Sequence, residues 1–142
     1  MADGKIESFD VVVVGAGFAG LYSLHKLRGM GMSVKVFEAG DGVGGTWFWN
    51  RYPGARCDVE SMEYSYSFDP ELEQEWVWPD KYSKQNDILA YANHVADRFD
   101  LRRDIQFETR IKSALFDRET NRWIIETEKG ERVSAQFCIM AV

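Results

Sequence analysis

The feature that most constrains the fold is Gly15-Ala16-Gly17-Phe18-Ala19-Gly20, set directly behind the β-branched run Phe9 to Val14. A run of valines without polar alternation reads as a strand buried on both faces. From Phe18 to Met32 the period becomes helical, with Leu24, Leu27 and Met30 as an apolar stripe and Gly29 and Gly31 as breakers. Ser33 to Glu38 (SVKVFE) then reads as a second strand. Strand, helix and strand in this order predict a right-handed βαβ unit with parallel strands. In such a unit Gly15 permits the tight turn, Gly17 leaves room for a pyrophosphate, and Gly20 lets helix and strand approach, while the helix N-terminus faces the phosphates. Glu38 closes the second strand 18 residues past Gly20, where a carboxylate can accept from ribose hydroxyls.

That carboxylate would repel a 2′-phosphate, which disfavours NADP in this pocket and leaves NAD or FAD. A second glycine turn, Gly42-Val43-Gly44-Gly45-Thr46, follows at once and suits backbone passing close to an extended cofactor, which favours FAD. Ten aromatics then fall within residues 47–82 (Trp47, Phe48, Trp49, Tyr52, Tyr64, Tyr66, Phe68, Trp76, Trp78 and Tyr82), and residues 57–76 carry acids but no base. Long irregular segments inside compact domains are usually functional; the alternative is a solvated acidic loop whose aromatics plug the core. Trp76 and Trp78 are expected to be loop packing.

Beyond the tract, Ser83 is a candidate N-cap for a helix carrying Ile88, Ala92, Val95 and Phe99 on one face. The period then becomes two: Ile105 to Glu108, Arg110 to Asp117 and Arg122 to Glu128 read as strands, with a hairpin turn at DRETN, and Gln136 to Val142 as a further buried strand. The expected fold class is α/β: a Rossmann-like, three-layer FAD-binding domain with a parallel sheet and a small antiparallel β-meander.

The chain has 142 residues, 17 basic against 23 acidic, for a net charge of -6, so it lacks the basic stripe that nucleic acid requires. No apolar run approaches the length of a membrane span. Cys57 and Cys138 form neither a disulfide framework nor a zinc pattern, which points to a reduced, cytoplasmic setting. The chain stops inside an apolar strand, which is expected of a piece of a longer polypeptide. His25 and His94 have no partner that would make them ligands and are expected to be structural or solvent-facing.

The run from Gly44 to Ser61, GGTWFWNRYPGARCDVES, closely resembles the N-terminal FAD-binding domain of type I Baeyer-Villiger monooxygenases of the phenylacetone and steroid type. EYSYSF, VADRFDL, FDRETNRWIIET and the closing IMAV also look like that family, so the resemblance covers nearly the whole chain. It implies an enzyme in which NADPH reduces FAD, O2 adds at the flavin C4a, and the peroxyflavin converts a ketone into an ester or lactone. It further implies that Glu38 binds the adenosine ribose, that Gly45, Thr46, Trp47 and Trp49 line the FAD path, and that Tyr64 and Ile111 complete it. Arg56, Cys57 and Asp58 would lie near the nicotinamide and flavin rings, with Asp58 the active-site carboxylate acting with an arginine from later in the polypeptide.

Read from the residues alone, Asp58 could instead cap a helix over VESMEY, Cys57 could be a packed thiol, and Arg51 is expected to pair with the acidic tract. The family's second GxGxxG, its F-x-G-x-x-x-H-x-x-x-W/D signature and its arginine do not occur here. Residues 1–142 therefore read as an N-terminal FAD-binding domain without the NADPH-binding domain, inactive alone, whose partners are the remainder of the parent chain, a ketone and O2. A flavin N- or S-oxygenating monooxygenase and a stand-alone, non-catalytic FAD-binding module are the alternatives. The GTWFWNRYPG tract argues against the first of these.

Overall fold

The structure, a computed structural model, describes residues 6–142. The first strand, β1 (Glu7–Val14), helix α1 (Phe18–Gly29) and β2 (Val34–Phe37) form the predicted βαβ unit, with β1 and β2 parallel. Val11, Val12 and Val13 are at most 1% exposed, as expected for a strand covered on both sides. The aromatic tract contains a single turn of helix, α2 (Thr46–Trp49), a 3-10 turn at Ser61–Tyr64 and the short α3 (Pro70–Glu75). Asp69 caps α3 by accepting from the Leu72 amide at 2.9 Å, and Pro70 supplies its first residue. Helix α4 (Gln85–Arg98) follows, then β3 (Ile105–Gln106), β4 (Ile111–Asp117), β5 (Arg122–Thr127) and β6 (Arg132–Met140).

All six strands belong to one sheet, ordered β3-β2-β1-β6-β5-β4. The first four in this order are parallel, whereas β6-β5-β4 is the antiparallel meander. The strand β6 joins the two parts: its whole length pairs with β1, but only residues 132–135 pair with β5. The meander can therefore coil back across the sheet. Its Trp123 and Ile125 pack with Val12 and Phe37 in a cluster that contains no helix residue. On the opposite face, Val11, Val13, Val34 and Val36 pack against Leu21 and Leu24 of α1 and Tyr91, Ala92 and Val95 of α4. The three layers are thus helices, parallel sheet and meander.

Several boundaries differ from the sequence reading. Helix α1 ends at Gly29, where the chain turns through Met30 and Gly31, the latter at positive φ. The strand expected over 105–108 is two residues long, because the Glu108 and Thr109 amides donate to the carbonyls of Gly40 and Glu38 outside the ladder. The strand β6 begins at Arg132, four residues before the expected start, since it must reach β5. Ser83 is not an N-cap: Lys84 occupies that position, and the Ser83 hydroxyl is buried against Ser61. Asp58 caps no helix either, because Glu60 precedes the 3-10 turn and makes no side-chain cap bond.

Candidate functional site: a nucleotide cleft at the strand ends

The sequence crosses from one side of β1 to the other between β2 and β6, so the carboxyl ends of β1 and β6 flank a topological switch point, where open α/β sheets bind ligands. A cleft of about 1180 Å³ opens there, larger than a small metabolite needs. The turn after β1 forms its floor. Gly15, at φ 105°, sits so close to the end of β6 that a Cβ on it would come 2.3 Å from the Ala141 carbonyl oxygen. Gly17 faces the second glycine turn directly: a Cβ on it would lie 3.3 Å from the Gly45 Cα. The Gly44 amide also donates to the Ala16 carbonyl at 3.0 Å. The second glycine turn therefore packs backbone to backbone on the first, a contact that its composition alone did not reveal. Gly20 does not line the cleft but lies beneath it, against the Gly15 carbonyl.

Glu38 is 5% exposed and lines the cleft. One carboxylate oxygen accepts from the Ala16 amide at 2.9 Å and the other from the Gly40 amide at 2.6 Å. An ionised carboxylate has about four acceptor positions, so roughly two remain for hydroxyl donors in the cleft. Helix α1 starts at Gly17 with no side-chain cap and no acid in its first turn, which leaves its first amides and its dipole available to an anion. Arg110 and Lys112 border the cleft on the meander side, and each cation has an acidic neighbour, Glu128 at 4.0 Å and Glu126 at 3.4 Å respectively.

Of the residues singled out in the sequence, Gly15, Gly17, Glu38, Gly45, Thr46, Trp47, Trp49, Tyr64 and Ile111 line this one cleft. Trp49 is 57% exposed at its mouth, and the Trp47 and Tyr64 rings meet edge to face at 5.7 Å. Arg56, Cys57 and Asp58 are not among the lining residues. They lie in the loop between α2 and the 3-10 turn that ends at Tyr64; burial raises the Tyr64 phenol pKa, and Cys57 and Asp58 add to the rise while the Trp47 side chain opposes it. Cys57 is a buried thiol donating to the Val59 carbonyl at 3.1 Å, whereas Arg56 and Asp58 are exposed. Arg51 makes no ion pair with the acidic tract; its guanidinium lies over the Phe48 ring and its Nε donates to the Phe48 carbonyl at 2.7 Å. Sequence reasoning missed Thr109, Ser113, Trp123, Cys138 and Met140, which also line the cleft. Thr109 lies in the loop before β4 and the others on β4, β5 and β6, and they become neighbours only when the meander coils over the sheet.

The rest of the aromatic tract packs behind α1. Tyr66, Phe68, Trp76 and Trp78 form a ring network with Phe18, Tyr22 and Tyr91. The Tyr66 hydroxyl donates to the Phe18 carbonyl in the first turn of α1, and Tyr91 accepts from the Tyr66 amide at 2.8 Å. His25 lies between Phe68 and Phe99, and His94 contacts Glu75 at 3.2 Å. Both histidines are accounted for by packing and surface pairing.

The glycine turn, the buried acid and the parallel sheet define a Rossmann-class dinucleotide-binding domain, and residues 13–74 match the family model for an NAD(P)-binding Rossmann-like domain. The chain is 49% identical over 132 residues to acetone monooxygenase (methyl acetate-forming) of Gordonia sp. strain TY-5, covering 93% of this chain and 25% of that protein. It is 47% identical over its whole length to a phenazine N-monooxygenase of Lysobacter antibioticus, of which it covers 26%. Among solved structures, an oxidised steroid monooxygenase bound to NADP superposes with a TM-score of 0.93 at 64% identity, over 94% of this chain and 26% of that one. A cyclohexanone monooxygenase from Rhodococcus sp. Phi1 bound to NADP+ gives 0.95 at 46% identity, over 97% and 26%. The chain is thus similar to Baeyer-Villiger and related flavin monooxygenases and spans about a quarter of the length of these relatives.

Proposed function

We propose that this chain is the FAD-binding domain, residues 1–142, of an NADPH- and O2-dependent monooxygenase that converts ketones to esters or lactones, the NADPH-binding domain lying elsewhere in the parent polypeptide. The observation that carries the reading is the cleft itself. One cleft brings together an uncapped helix N-terminus suited to a pyrophosphate, a buried carboxylate suited to ribose hydroxyls and aromatic side chains suited to a flavin ring system. Bound there, FAD would supply the redox and oxygen chemistry.

The chain's own residues would hold and shield it. The Gly15 to Gly17 backbone and the first amides of α1 bind the pyrophosphate, and Glu38 accepts from the ribose hydroxyls with the positions its backbone donors leave open. Gly45, Thr46, Trp47, Trp49, Tyr64 and Ile111 border the path, the aromatic rings excluding water at its mouth. Arg56 and Cys57 stand on the turn that presents Asp58, whose fixed negative charge would orient a guanidinium and polarise the reacting carbonyl through it. A phenazine N-monooxygenase is 47% identical over the whole of this chain; N-oxygenation is therefore the second reading. No helix among the described residues is long and apolar enough to cross a membrane. The two free cysteines fit a cytoplasmic location.

The test is product analysis on the longest natural polypeptide carrying this sequence, with NADPH, O2, and a ketone or a heteroaromatic amine. Ester or lactone formation supports the first reading and N-oxide the second. FAD binding with neither product would leave a nucleotide-binding module. The 142-residue chain alone should show no ketone-dependent NADPH oxidation.

A further inference from the structure

The turn bearing Arg56, Cys57 and Asp58 has almost no regular structure of its own, yet three backbone hydrogen bonds pin it to one other segment. The Cys57 amide donates to the Ser83 carbonyl at 3.0 Å, the Gln85 amide to the Ala55 carbonyl at 2.9 Å, and the Ser61 amide to the Lys81 carbonyl at 2.7 Å, around an antiparallel bridge between Arg56 and Lys84. Between them the Ser61 and Ser83 hydroxyls meet at 2.6 Å, with their residues 2% and 0% exposed.

The Ser61 oxygen also lies 2.6 Å from the Asp80 carbonyl and 2.9 Å from that of Lys81. A hydroxyl carries one proton, so Ser61 donates to these carbonyls and Ser83 donates to Ser61. The same segment reaches the cleft, since the Gln85 side-chain amide donates to the Trp47 carbonyl at 2.5 Å.

We propose that residues 80–85 are a positioning strap for the Asp58 turn, locked by the Ser61–Ser83 hydroxyl pair and tied through Gln85 to the cleft-lining Trp47. The strap holds the turn from outside, and the Cys57 thiol, donating to the Val59 carbonyl, closes it across Asp58, so that Asp58 is held in one geometry. Ser61 and Ser83 are positioning residues that touch neither cofactor nor substrate. The proposal rests on the reading of Asp58 as the active-site carboxylate.

Cys57, 4% exposed, reports on the strap without any flavin, through its alkylation by iodoacetamide followed by peptide mass spectrometry. Cys138, half-buried on β6 and facing the cleft, serves as the internal reference for thiol reactivity in the same sample. In Ser83→Ala, Cys57 should react about five- to tenfold faster, the fold-change expected for losing one buried hydroxyl bond, with Cys138 unchanged. Ser61→Ala, which strips three contacts, should accelerate it further. In unaltered protein, amides of 55–61 and 81–85 should exchange hydrogen at one common rate, distinct from the sheet.

Turnover of the longest natural polypeptide should lose kcat for ketone oxygenation in Ser83→Ala, with KM for NADPH unchanged. Cys57 reacting no faster relative to Cys138, or the two segments exchanging independently, overturns the strap. Unchanged ketone oxygenation in Asp58→Asn would instead remove the underlying reading and the proposal with it, an outcome distinct from failure of the strap alone.

Discussion

Glu38 holds its loops together before any nucleotide arrives, which makes Glu38→Gln an informative perturbation. Its two carboxylate oxygens accept from the Ala16 and Gly40 amides inside a site that is 5% exposed. A glutamine has one acceptor oxygen, so whichever way the amide turns, one of those backbone donors faces an NH2 group. Leaving a buried donor unpaired costs about 1–3 kcal/mol, and removing the charge from the other bond adds about 1 kcal/mol. A total near 3 kcal/mol corresponds, for a domain of this size, to a Tm roughly 10 °C lower. The assay is thermal unfolding followed by circular dichroism without FAD, then an FAD titration of the same sample. The nucleotide-free variant should already melt lower and then bind FAD more weakly. A nucleotide-free Tm within about 2 °C of the parent would refute the account of Glu38 as a bridge between the first glycine turn and the Gly40 backbone.

Other outcomes follow from neighbouring features. Gly20→Ala should destabilise by about 3 kcal/mol or more, because the added Cβ would sit 1.9 Å from the Gly15 carbonyl oxygen. Gly29→Ala, whose Cβ meets nothing within 4 Å at the end of α1, should be neutral or stabilise by up to about 1 kcal/mol, and urea unfolding of the pair separates the two effects. The His25 pKa is lowered, chiefly by burial and then by Arg28, with Asp69 opposing. A folded pKa below the ordinary 6.5 means that the unfolded chain binds the proton more readily, so stability should fall as pH drops below 6.5 and level off below the folded pKa. Urea midpoints between pH 7.5 and 5 should show that slope, and His25→Leu should reduce it.

The βαβ unit was legible because its signals are local: a valine run, three glycines at fixed spacing and an acid at the end of the next strand all act through near neighbours in sequence. Local signals also marked the meander strands and α4, whose Ile88, Ala92 and Val95 are buried as their spacing requires. The short α3 carried a readable start, Asp69-Pro70-Glu71, within the acidic stretch that drew attention to charge instead. Ser83 looked like a helix cap because serine before a helix usually is one; its hydroxyl is claimed by Ser61, 22 residues away, a competition that no local pattern records.

What the sequence by itself determined is the class of ligand. Gly15, Gly17 and Glu38 carry the proposed dinucleotide pocket, and all three line the cleft, because backbone clearance and one carboxylate are properties of residue type and spacing. The tertiary structure decided how that pocket is walled and braced. Gly45 rests on Gly17 because two loops pack together, and the meander reaches the cleft because β6 pairs with β1 along its length but with β5 only at its start. It also decided where Asp58 stands, since a turn with little hydrogen bonding of its own takes its shape from the segment it is tied to. Such contacts depend on the coiling of the sheet and the closure of loops far apart in the chain, and those are set by the whole fold.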